Sequence, residues 1–247
     1  MLRTATFVIA VSLLLPAGAR AADDTLPSLL TKLAADEDRT AKVYDDWDYS
    51  MTIHAEELDR KGSTSSDEKI EMRHAHVNGE STDDLVRYER DGKDVTAEEQ
   101  AKHKAKVEKR EAKRKDSAKK DDDQDFPSPF ATKEQAKYTF TRLGPDPADA
   151  SRVRIGFVPK KAAEMEMKGE ASVDAATGRI RSITMTPAKM PAMVQQLAIE
   201  MEYQSGPDDL RLLSVLKIHG EAGILFVKKR FRATTTFKDF AKPGATK

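Results

Sequence analysis

The 247-residue chain contains no cysteine. That excludes thiol catalysis and zinc–thiolate centres, a disulfide staple, and attachment of lipid through a processed N-terminal cysteine. Net charge is also missing: 42 Lys and Arg balance 42 Asp and Glu, so no overall field gathers nucleic acid. No G-x-S-x-G, P-loop or H-E-x-x-H motif occurs, which removes the usual signatures of acyl transfer, nucleotide chemistry and zinc hydrolysis. Carboxylates are plentiful, but charged residues cover every turn, and pairs of them arise by chance. A hydrolase built on surface carboxylates is therefore the weakest of the readings; the expectation is a protein that is not an enzyme and needs no cofactor. No apolar run reaches the ~20 residues a membrane-spanning helix needs.

What is present begins with MLRTATFVIAVSLLLPAGARA. Arg3 supplies a positive start, Phe7 to Leu15 a short apolar run, and Ala19 and Ala21 bracket Arg20 as a small-x-small cleavage signal. Residues 1–21 are expected to be a signal peptide cleaved after Ala21. Residues 22–247 are then one periplasmic domain, held by burial alone.

Residues 25–42 have the period of a helix, with Leu26, Leu29, Leu30 and Leu33 on one face, Thr25 placed to cap it and Pro27 in its first turn. From Asp48 the period changes to two. Trp47, Tyr49, Met51 and Ile53 alternate with polar residues, as a half-buried strand requires. Residues 68–77 return, Asn78-Gly79 signals a hairpin, and a stretch around Leu85 to Arg90 ends at Asp91-Gly92. Later strands are expected around Tyr138 and Phe140, before a Gly-Pro-Asp-Pro loop at 144–147. Others follow through Val153, Ile155 and Phe157; Ala171 and Val173; Ile183 and Met185; Leu197 to Tyr203; Leu212, Ser214, Leu216 and Ile218; and 224–237. Nine or ten strands joined by short turns make an antiparallel meander.

Residues 96–125 differ from the rest: they contain no Leu, Ile, Phe or Met. Thr96 and Glu99 have capping-box spacing, and Glu98 and Lys102 stand as an i, i+4 pair. A helix polar on every side is not a core helix. It is expected to project into solvent, or to be disordered. The segment Lys102 to Lys120 is a basic arm suited to phosphate head groups or an acidic partner, although Asp121 to Asp123 neutralise part of it.

Several short motifs carry a resemblance. DGKDVTAEE precedes the charged segment, a Tyr-x-Phe strand (Tyr138, Phe140) follows it, then a strand ending F-x-P-K (Phe157, Pro159, Lys160), the strand–turn–strand GEASVDAATGRIRSI, and the closing LFVKKRFRATTTFKDF. Over about residues 91–240 the chain resembles a set of exported bacterial proteins. Its F-x-P and strand–turn–strand also resemble the outer-membrane lipoprotein-sorting family, which includes the periplasmic lipoprotein carriers. The resemblance implies a mainly β, α+β fold: a curved antiparallel sheet, or open half-barrel, with helices on its concave face, where acyl chains bind. It transfers no individual functional residue.

The expected function is that of a carrier or sensor that binds lipid or a lipidated protein. Candidate ligand-binding residues are Ile155, Phe157, Met185, Ile199, Met201, Leu216 and Phe226. The alternative is an interaction module whose concave face is filled by its own helices. Six of nine methionines (Met165, Met167, Met185, Met190, Met193, Met201) lie between 165 and 201. They suit a filled core, or a plastic apolar surface; Met190 and Met193 also suit Cu(I). His74 and His76, two apart on a strand, share a face. With His54 they would offer metal ligands, but two histidines in one strand are more often a solvated face, and no metal site is expected.

Overall fold

A computed structural model of the chain describes residues 25–41, 43–77, 80–105, 128–163, 166–224 and 227–243. The expected signal peptide, most of the charged segment, and Phe226 lie outside them. Among the described residues no helix is long and apolar enough to cross a membrane.

The chain forms α1 (Leu26–Thr40), α2 (Val43–Asp46), β1 (Asp48–Leu58), β2 (Thr64–Val77), β3 (Glu80–Arg90) and β4 (Lys93–Asp94). Beyond the charged segment come β5 (Tyr138–Asp146), β6 (Asp149–Pro159), β7 (Met167–Asp174), β8 (Arg179–Pro187), β9 (Val194–Ser205), β10 (Arg211–Ile224) and β11 (Val227–Ala241). All eleven strands join one antiparallel sheet in the order β4-β3-β2-β1-β11-β10-β9-β8-β7-β6-β5. The topology is two meanders, β1–β4 and β5–β11, sewn together where β11 pairs with β1. The sheet is curved and open, with β4 and β5 as its two edges.

Bulges explain where simple alternation misleads. One between Glu71 and Met72 in the β2–β3 ladder breaks the two-residue phase of β3. Leu85 and Tyr88, three apart, both stay half-buried while Val86 is exposed, as an extra residue on a bulged strand requires. Another, between Leu213 and Val215, takes Leu212 out of phase with Leu216 and Ile218; it packs instead with Val43 and Trp47 in a small second core. The expected loop at 144–147 is also corrected. β5 runs on through Gly144, Pro145 and Asp146 past a bulge at Arg142/Gly144, which an edge strand tolerates because proline there leaves no ladder donor wanting.

Helix α1 buries Leu29 and Leu33 completely and contacts β8 and β10. Pro27 sits in its first turn, and Thr25 is extended as a cap residue should be, but the Thr25 side chain makes no capping bond. The β7–β8 turn passes close beneath the helix at Gly178, with φ +70°, where a Cβ would lie 2.3 Å from Cβ of Lys32. Only glycine meets both demands.

The charged segment begins as expected: residues 96–105 are helical, and Lys102 bonds Glu98 at 2.6 Å. Its cap differs. The Thr96 amide donates to Asp94 Oδ1 at 2.9 Å, while the Thr96 hydroxyl accepts from the Tyr88 amide and Glu99 pairs with Arg90 and Lys102. The side chains expected to form a capping box instead tie the helix to β3, as does Gln100, which donates to the Leu85 carbonyl at 2.8 Å. The first turns are therefore pinned to the sheet. Residues 106–127, with the remainder of the arm, are outside the described residues.

Candidate functional site

Period-two alternation gives the sheet one apolar and one polar face, and the registers of consecutive ladders trace a single row across nine strands of the apolar one. It runs Ile155–Ala171–Ile183–Met201–Leu216 and continues Thr235–Ile53–Ile70–Tyr88. The parallel row Phe140–Phe157–Gly169–Met185–Ile199–Ile218–Ala233–Ala55 flanks it.

Over β5–β9 this face is covered. Leu29 and Leu33 of α1 and Phe130 seal Tyr138, Val153, Ile155, Phe157, Met167, Val173, Ile183, Met185 and Ile199 into one buried cluster. Phe130 lies against Phe157 and Phe140 with ring centroids 5.4 and 5.5 Å apart. The cover is anchored by charge. Buried Asp36 of α1 faces Arg211 at 3.1 Å and Arg39 at 2.6 Å, and Glu37 holds Arg211 at 2.9 Å. The Arg211 guanidinium lies 4.5 Å from the Tyr203 ring centroid. Burial opposes its charge, but Glu37, Tyr203 and Asp36 together hold its pKa above the ordinary arginine value. Arg179 forks onto Asp209 at 2.5 and 2.7 Å, so the β7–β8 and β9–β10 ends share the clamp.

Across β11 and β1–β3 none of the described residues lays such a cover over the same face. Met51, Ile53, Ile70, Met72, Leu85 and Phe237 are half-buried and belong to neither buried cluster. Leu216 and Ile218 of β10 mark the boundary, packing against the first cluster while remaining half-buried. Polar groups bound this uncovered area at both ends. At one, Tyr49 stacks on His74 at 4.7 Å, His74 Nδ1 meets Asp83 at 2.7 Å, and His76 Nδ1 meets Asp48 at 3.0 Å. Burial opposes ionisation of Asp48, yet bonds from the His76 side chain and amide bring its pKa below the usual carboxylate value. At the other end Arg90 links Glu68 at 3.0 Å with Glu99 at 3.2 Å beside Tyr88; burial raises the Tyr88 phenol above its ordinary pKa.

The candidate residues read from the sequence fall on this map unevenly. Ile155, Phe157, Met185 and Ile199 are on the apolar face but sealed under the cover. Met201 and Leu216 stand at its margin, half-buried. Sequence reasoning passed over Met51, Ile53, Ile70, Met72 and Phe237, although their two-residue spacing was visible. The methionines divide likewise: Met167 and Met185 are core, while Met193 is the most exposed large apolar residue described, at 61%.

The polar face carries ion-pair ladders. Arg232 grips Glu56 through both carboxylate oxygens, with Thr64 also donating to it; these bonds bring the Glu56 pKa from 4.5 down to about 2. His54 meets Asp67 at 2.6 Å. The imagined set of three histidines is split. His54 pairs with Lys69 while Ile53 pairs with Ile70, so His54 lies on the polar face and His74 and His76 on the other. Among the described residues, the metal-capable atoms that do converge, within 4.8 Å, belong to His54, Glu56 and Asp67, with Glu56 already held by arginine. A recess of about 460 Å³ lies where β8 and β9 share only four residue pairs. Its lining mixes the charged Arg152, Arg181, Glu200 and Glu202 with Ile183, Met201 and Tyr203, and the charged members do not suit an acyl chain.

No protein-family model matches the sequence, and no curated protein matches it significantly. Among solved structures the chain is similar to an outer membrane lipoprotein-sorting protein domain, provisionally so named, from Vibrio parahaemolyticus. The two are 11% identical with a TM-score of 0.39, over 88% of this chain and 93% of that one. It is also similar to a DUF1329 family protein from Desulfovibrio piger, at 9% identity and a TM-score of 0.38, covering 91% and 95%. MucB in its complex with MucA from Pseudomonas aeruginosa is a more distant likeness, at 9% identity and a TM-score of 0.24, covering 86% and 99%.

Proposed function

We propose that this is a non-enzymatic protein of the cell envelope that holds an acyl chain, as a lipid or as the anchor of a lipidated partner, on the uncovered half of its apolar face. One observation carries the reading: a continuous area of half-buried apolar side chains over β11 and β1–β3 that neither buried cluster absorbs. Contiguous apolar area of this kind marks a binding surface. Each methylene removed from water contributes about 0.8 kcal/mol, so roughly eight of them contribute about 6 kcal/mol before the cost of immobilisation. That range suits reversible capture. Met51, Met72 and Met201 add side chains that repack around chains of different shape. Export follows from the leader motif, and N-terminal sequencing of the envelope protein tests it: a chain starting at Ala22 agrees, and one starting at Met1 in a membrane fraction does not.

A second reading has its own support. α1 shows that this face accepts an amphipathic helix, so the uncovered half equally suits a helix of a protein partner. Native mass spectrometry of protein purified from its own envelope separates the two. Co-purified lipid favours the first. A lipid-free protein that also fails to bind a fluorescent fatty acid favours the second.

A further inference from the structure

The uncovered apolar area has a grain. Side chains opposite one another on paired strands stand about 5 Å apart, whereas those two residues apart on one strand stand about 7 Å apart. Cross-strand rows are therefore ridges, and the furrows between them run across the strands. Two ridges bound one such furrow. Phe237–Met51–Met72–Leu85 forms one side, and Leu216–Thr235–Ile53–Ile70–Tyr88 forms the other. Every one of these side chains is half-buried.

The number of strands sets the length of the furrow. From Leu216 to Tyr88 it crosses four strand-to-strand steps, about 19 Å. Along the strands the apolar area is shorter: about 14 Å on β1, from Met51 to Ala55, and about 7 Å on β2, from Met72 to Ile70. The level of His74 and Asp83 closes it on one side, and that of Glu68 and Arg90 on the other. The two ends of the furrow differ. At Leu216 the row runs on through Met201 to Ile183, which is sealed in the cluster under α1, so this end is apolar and blind. At Tyr88 the furrow meets Arg90, Glu68 and Glu99, already bonded to one another, and Gln100 of the pinned helix. This end is polar and hydrated.

In projection the area is roughly 270 Å², about a third of the ~800 Å² that each partner of a stable protein complex buries. It is too small for a second copy of this chain. One extended acyl chain fits: two opposed acyl layers fill about 30 Å of a bilayer core, so a single chain spans roughly 15–20 Å. We propose that the furrow measures one acyl chain of about 14–16 carbons, lying across β10, β11 and β1–β3. Its methyl end meets Leu216 and Met201, and its head group stays at the β3 edge. This rests on the acyl-binding reading above, and makes Leu216 the residue that sets chain length.

The test is competition by saturated fatty acids of about 8 to about 20 carbons, each below its micelle concentration, against one fluorescent fatty acid. Affinity should rise by up to about fourfold per added methylene, then level off at about 14–16 carbons. Leu216→Trp should move the levelling point to shorter chains, and Leu216→Ala to longer ones, with the thermal midpoint reporting that each variant is folded. Palmitate carrying a diazirine at its methyl end should crosslink to β10, and palmitate carrying it beside the carboxyl to β3. Three results overturn the length rule while leaving acyl binding standing: affinity that climbs steadily through the longest chain, the reverse crosslinking pattern, or a levelling point unmoved by Leu216→Trp or, should that variant not fold, by Leu216→Ala. Displacement by no chain of any length overturns the acyl-binding reading, and the length rule with it.

Discussion

Ile155 and Ile53 lie on one cross-strand row of one sheet face, yet they occupy different environments. Ile155 on β6 is fully buried under α1 and Phe130; Ile53 on β1 is half-buried and joins no buried cluster. Strand pattern, residue type and hydrogen-bonded pairing are the same. The difference is the helix laid over one half, and it teaches that a sheet face becomes core or binding surface according to what reaches it from elsewhere in the chain.

The largest expected effect comes from removing the cover. Arg211→Leu removes the buried cation shared by Asp36 and Glu37, leaving Asp36 the partly exposed Arg39 and, at 3.8 Å, Arg179, a loss that stays below the roughly 3–5 kcal/mol of a buried charge left with no partner. A lowered denaturant midpoint is expected, with greater uptake of a fluorescent fatty acid as α1 loosens. Wild-type stability would mean that the clamp does not hold the helix.

The matched pair comes next. Ile155→Ala should cost about 2–5 kcal/mol, the range for a sealed cavity, and Ile53→Ala about 1 kcal/mol, because part of the side chain already meets water. Equal losses in a denaturant series would abolish the distinction between the halves.

A smaller stability effect, with a larger functional one, is expected of Met72→Glu. On an open area the carboxylate stays hydrated, so the midpoint should move by less than about 1 kcal/mol while fatty-acid displacement is lost. Met201→Glu, at the border of the cover, should fall between Met72→Glu and a core charge in stability. Collapse of the fold on Met72→Glu would show that the uncovered half is filled.

The smallest effect belongs to the polar face. The Glu56 pKa is lowered to about 2 by Arg232 and Thr64, so its ionised form favours the folded state. That contribution is fully present above pH 4.5 and is lost as pH falls through 2. Glu56→Gln should flatten the acid limb of thermal midpoint against pH within that window, slightly, because solvent screens an exposed pair. An unchanged acid limb would mean that the pair adds nothing.

Much of the architecture was legible. Leu26, Leu29, Leu30 and Leu33 predicted α1, alternation predicted the meander, and Asp91-Gly92 predicted its turn, with Asp91 at φ 50° and Gly92 at φ 75°. The bulges at Glu71/Met72 and Leu213/Val215 were not legible, because an extra residue changes phase without any compositional mark. The capping box at Thr96 misled because Tyr88 and Arg90 compete for the same side chains, and they approach only once β3 has paired.

The sequence by itself determined the alternation, and with it an apolar face to which Ile155, Phe157, Met201 and Leu216 belong. Only the tertiary structure decided that the first two are sealed and the last two stand at an edge. Alternation is a local property of the extended backbone. Cover depends on contacts such as Arg211 with Asp36, separated by most of the chain, and on β11 meeting β1 to place Ile53 beyond the reach of α1.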